Sequence, residues 1–154
     1  MRYASRNHTL GFAERTRKNL EYIEAAFSRG EDVHVVTQLV TSLLGLVVFP
    51  WEKKFGEYVY TLKLDQLATK GWPQWQMVGR DCETLGQLLR LLRNAVAHGN
   101  LVFSSDSRHI EEVTVELENY PTNGASPDWL ASIPATELRS FCYRFVDLVD
   151  QVVG

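Results

Sequence analysis

The chain has 154 residues, 45% hydrophobic and 23% charged, enough apolar material for one domain with a proper core and too much for a disordered segment. Its formal net charge of -3 excludes a protein gripped by nucleic acid over its whole surface, so any RNA contact has to be a local basic site. The two cysteines, Cys82 and Cys142, exclude a disulfide framework.

The N-terminal stretch lacks the apolar core of a secretory leader. The longest apolar run, Leu43 to Pro50, is far shorter than the roughly 20 residues of a membrane helix. A cytoplasmic protein with no membrane span is the expectation.

A first helix is predicted from Thr9 to Arg29, because Ala13, Thr16, Leu20, Ile23 and Phe27 recur at intervals of three and four. Gly30 then supplies the left-handed residue that closes a helix. Asp32 is expected to cap a second helix that ends before Pro50. That segment is apolar nearly all round, which marks a central buried helix; its valines would also suit a strand, and its length decides for helix. From Trp51 to Gly79 the element type stays open, between a short helix over Glu57 to Thr69 and a strand in which Tyr58, Tyr60, Leu62 and Leu64 alternate. The tryptophans there suit packing a connection onto the core, or a platform for stacked bases.

A third helix is predicted from Arg80 to His98, with Leu85, Leu88, Leu89, Leu92 and Ala95 or Val96 as its apolar stripe and Gly99 as its end. Leu101 to Phe103 and Glu112 to Glu118 then form a β-hairpin around Ser105-Asp106-Ser107. A last helix follows Pro134, with Thr136 as its cap and Leu138, Phe141, Cys142, Phe145, Leu148, Val149 and Val152 toward the core. The sum is an all-α fold: an antiparallel four- or five-helix bundle with a small β-hairpin inserted before the last helix, in a single domain over 1–154.

The chemistry concentrates at the end of the third helix, in Arg90, Arg93, Asn94, His98 and Asn100. Asn94 and His98 are four residues apart and share one side of the helix, and the long Arg93 side chain reaches round to the same space. His98 stands where the helix dipole favours positive charge. An imidazole exchanges protons near neutrality, and a guanidinium holds phosphate oxygens with parallel donors. Together they suit phosphodiester cleavage without a metal or other cofactor: histidine moves the proton, arginine stabilises charge on the phosphorane, and Asn94 orients either. The bland reading is a solvated helix end, with arginine paired to an acid and histidine capping free carbonyls.

Arg93-Asn94-Ala95-Val96-Ala97-His98 resembles the R-polar-x-x-x-H motif of the HEPN superfamily, whose fold is a helical bundle with the motif at the end of a late helix. The resemblance implies an endoribonuclease with Arg93 and His98 as catalytic pair and Asn94 as the polar second position. Arg90 and Asn100 would contact the RNA substrate. It also implies a homodimer that assembles a composite site, and a toxin-antitoxin or defence setting with an antitoxin protein as partner. The alternative within the family is a module that binds a nucleotide or a protein without cutting. One HEPN branch carries a tyrosine two places after the histidine, where a partner modifies it; here Asn100 stands there. His8, His34 and His109 are scattered, with no second ligand at metal spacing, and His34 is expected to be partly buried. The cysteines read as inert core residues on helix faces, and Glu111, Glu112, Glu116 and Glu118 as the wet face of a strand.

Overall fold

A computed structural model describes residues 8–48 and 53–153. Among them are six α-helices: α1 (His8–Ser28), α2 (Val35–Val48), α3 (Lys53–Val59), α4 (Leu64–Thr69), α5 (Leu85–Ala97) and α6 (Ala135–Val153). Four strands, β1 (Gln76–Gly79), β2 (Leu101–Phe103), β3 (Thr114–Asn119) and β4 (Trp129–Pro134), form one sheet in the order β1-β4-β3-β2. Every pairing is antiparallel.

The fold is therefore mixed α/β, and the expected all-α bundle with a lone hairpin is wrong. The hairpin itself is present as β2 and β3, paired Leu101 to Leu117. It becomes a sheet because β4 pairs along the whole of β3 and β1 along β4. In β4, Trp129, Ala131 and Ile133 are buried while Leu130 and Pro134 are exposed, the alternation of a strand with one face on a core. Prolines at positions 127 and 134 and the apolar Leu130 hide that alternation in the sequence.

Helix α2 is the central one, as its composition predicts. Val35, Val36, Leu39, Val40, Leu43, Leu46 and Val47 are all buried, and it packs on α1, α5 and α6. α1 is closed as expected: Gly30 takes φ 80°, its N–H donates to Phe27 O at 3.0 Å, and Glu31 N–H donates to Ala26 O at 3.0 Å. Asp32 does not cap α2, which starts three residues later; its carboxylate pairs instead with Arg108. His34 is exposed, contrary to expectation. α6 begins at Ala135, directly out of β4, so Thr136 lies within the helix and does not cap it.

The open stretch resolves into α3, α4 and β1. Trp72 and Trp75 set their rings edge-on to Phe141 at 5.8 and 5.5 Å, which packs this connection onto α6 instead of leaving an open stacking platform. Trp51 lies outside the described residues. Among the described residues no single helix is long and apolar enough to cross a membrane.

Candidate active site at the end of helix α5

Helix α5 starts five residues later than predicted, because Thr84 caps it. Thr84 Oγ1 accepts from Gln87 N–H at 3.2 Å and Gln87 Oε1 accepts from Thr84 N–H at 3.1 Å, a reciprocal capping box. Cys82 consequently lies before the helix and not on its face, half-buried, whereas Cys142 is fully buried on α6. Burial pushes the two thiols up, to about 11 for Cys82 and about 12 for Cys142. Neither is a ready nucleophile at neutral pH.

Leu85, Leu88, Leu89, Leu91, Leu92 and Ala95 bury the core side of α5. Its solvent side carries Gln87, Arg90, Arg93 and Ala97, with Asn94 half-buried among them and exposed His98 at the C-cap. No acidic residue occurs anywhere in Leu85–Ala97.

The C-terminal end of α5 is closed by a Schellman motif. Gly99, at φ 69°, donates its N–H to Val96 O at 3.0 Å, and Asn100 donates its N–H to Ala95 O at 2.8 Å. The carbonyl of Asn100 then accepts from Glu118 N–H at 3.1 Å. The end of the helix is thereby fixed to β3, and so is the position of His98.

All five predicted site residues lie on the exposed side of α5 or just past its end, but they do not form a preassembled cluster. Five residues at 100° each put Arg93 and His98 about 140° apart around the helix axis, at the two edges of the exposed arc, with Asn94 between them. Among the described residues, the side chains of Arg90, Arg93, Asn94, His98 and Asn100 make no hydrogen bond or ion pair. The bland expectation that Arg93 pairs with an acid is thus not met. Five other arginines, Arg17, Arg29, Arg80, Arg108 and Arg139, each have a carboxylate partner. The bond from Tyr120 Oη to Glu118 Oε2, 2.7 Å long, was not anticipated. Strand register sets Glu118 opposite Asn100, just past the motif.

Helix α5 is thus a late amphipathic helix whose exposed side carries, among the described residues, an unpaired Arg-Asn-x-x-x-His face. The whole chain, residues 1–154, matches the family model described as HEPN pEK499 p136, and the chain belongs to that HEPN family. Membership points to a nuclease or nucleotide-binding module. No curated protein and no solved structure matches the chain.

Proposed function

We propose that this HEPN protein is an endoribonuclease whose cleaving groups are Arg93 and His98. The observation that carries the reading is the arc of α5: two unpaired arginines and an exposed histidine on a helix without a single carboxylate, in a chain of net charge -3. Of the seven other described arginines, five are neutralised by an acid, and Arg15 and Arg144, the two that are not, stand on separate helices. Leaving two free on one helix suits a phosphate partner better than solvent alone.

In the reaction, His98 takes the proton from a ribose 2′-hydroxyl as that oxygen attacks phosphorus, or returns one to the departing 5′ oxygen. The P–O5′ bond breaks, leaving a 2′,3′-cyclic phosphate and a 5′-hydroxyl. Arg93 stabilises the charge that builds on the phosphorane oxygens, and Asn94 orients the phosphate between them. Arg90, one turn earlier on the same arc, and Asn100 hold the flanking backbone. Because Arg93 and His98 stand at opposite edges of the arc, a second copy facing it would bring the arginine of one chain toward the histidine of the other. That supports the composite dimer site which the family implies. The setting we assign is a cytoplasmic toxin-antitoxin or defence system with a protein antitoxin. Its control does not run through a tyrosine at position 100, where Asn100 stands.

The same arc also suits holding a nucleotide without cutting it, and one assay separates the two. Purified protein incubated with RNA and excess chelator is expected to leave cyclic phosphate ends. Arg93→Ala and His98→Ala should each lower the rate by about 10²–10⁴-fold. Stability should stay within about 0.5 kcal/mol, since both side chains are exposed and unpaired. Cleavage that persists unchanged in His98→Ala overturns the assignment, and nucleotide binding without cleavage selects the non-catalytic reading.

A further inference from the structure

The strand that abuts the end of α5 carries a second constellation. Along β3, Val115, Leu117 and Asn119 are buried, whereas Thr114, Glu116 and Glu118 form the outward row. Tyr120 continues that row one residue past the strand. It is 40% exposed, and its hydroxyl donates to Glu118 Oε2. Buried Asn119 holds the end of the strand by donating Nδ2 to Asp128 Oδ1 at 2.7 Å, so the flanking residues have a fixed backbone beneath them.

The register ties this pair to the motif. Leu101 lies opposite Leu117, and one step further Asn100 lies opposite Glu118, with Glu118 N–H bonded to the Asn100 carbonyl. Cα atoms of residues so paired stand about 5.5 Å apart. Asn100 itself is only two residues past His98, a chain reach of at most about 7 Å. The backbones of Glu118 and His98 thus stand within about 13 Å of each other, a gap that their side chains and one nucleotide can span.

We propose that Glu118 and Tyr120 form a base-recognition subsite beside the cleavage motif, and that it selects guanine. This rests on the RNA-cleaving reading above. A tyrosine ring anchored through its hydroxyl offers a fixed, exposed face for stacking, the usual way an unpaired base is held. The carboxylate beside it accepts hydrogen bonds only, with about four lone-pair positions, of which the tyrosine hydroxyl takes one. Guanine is the one RNA base with two adjacent N–H donors on its Watson–Crick edge. Adenine and cytosine set a ring acceptor beside their amino group, and uracil flanks its single N–H with two carbonyls. Each of those places a lone pair against the carboxylate. The phosphate next to that base is compensated by Arg90 and Arg93, so the carboxylate does not repel the substrate as a whole.

The test is cleavage of a random-sequence RNA pool with the junctions read out, for wild type, Glu118→Gln and Tyr120→Ala. Wild type should cut next to guanine about tenfold or more above chance, the discrimination expected of a two-bond base contact. Glu118→Gln should bring that preference to within about twofold, by lowering cleavage next to guanine toward the rate next to the other bases. Tyr120→Ala should weaken binding of the flanking base as well. Guanine preference that survives Glu118→Gln, or its absence in wild type, overturns the subsite while leaving the nuclease reading intact. If wild type cuts no RNA, the nuclease reading fails. The subsite is then judged by calorimetry with GMP and AMP: tighter GMP binding that is lost in Glu118→Gln upholds it, and equal binding of the two overturns it.

Discussion

Asn100 and Glu118 join the last turn of α5 to the sheet through a backbone hydrogen bond of 3.1 Å. The bond forms because Gly99 turns the chain through φ 69° immediately before it. A Cβ at Gly99 would meet nothing within 4 Å, so the demand on this position is conformational and not steric. Gly99→Ala should therefore cost about 1 kcal/mol, the left-handed penalty less the entropy the unfolded chain loses. Gly99→Asn should cost less, since asparagine tolerates that region. Urea unfolding of the two variants checks the order. Equal stability of wild type and Gly99→Ala would show that the turn is not held as described.

How much of this was open to reading in the sequence depends on where the forming interactions lie. α2, α5 and α6 show themselves because each carries its own apolar periodicity over three turns or more. β1 and β4 do not, because their strand character comes from pairing: Gln76–Gly79 is four residues long, and Trp129–Pro134 takes its alternation from what β3 and the core put on each side. The same division holds at the site. Arg93, Asn94 and His98 are recognisable from their spacing on one helix, whereas Glu118 comes to lie opposite Asn100, just past the motif, only through strand register. Asp32 misleads for a related reason, since a residue suited to capping was claimed by a distant arginine, Arg108.

Two protons on α6 should be visible in the pH dependence of stability. Burial raises the Cys142 thiol from 9.0 to about 12. Burial, followed by the Glu24 carboxylate, raises the Tyr143 phenol from 10.0 to about 12. Both groups keep their protons in the folded chain at pH values where the unfolded chain has lost them, so the unfolded state gains as pH rises. Stability that is complete below the ordinary value of 9.0 should decline as pH climbs toward about 12. Urea midpoints at about pH 8 and about pH 10.5 measure the decline. Cys142→Ala should make it shallower, whatever its effect at neutral pH. A decline equally steep in Cys142→Ala would remove the thiol from the account. Alkylating reagents should likewise leave Cys142 untouched in the folded chain at neutral pH.

Arg90 provides the most direct test of whether the α5 arc meets phosphate. Its guanidinium is exposed and has no acidic partner among the described residues, whereas that of Arg29 is held by Glu31 Oε2 at 3.1 Å. Each phosphate contact on single-stranded RNA releases condensed counterions and contributes about -0.7 to the slope of log affinity against log salt. In a His98→Ala background, which keeps RNA whole, Arg90→Gln should make that slope shallower by about 0.7. It should weaken binding by a similar factor on every sequence, because phosphate carries no sequence information. Arg29→Gln should leave the slope where it was, since it removes a charge already neutralised at the far end of α1. Were Arg90→Gln and Arg29→Gln to behave alike, the free charge on α5 would have no special part in binding RNA. A shallower slope for Arg90→Gln alone locates the RNA backbone along the solvent side of α5, on the path that leads past Asn94 to His98.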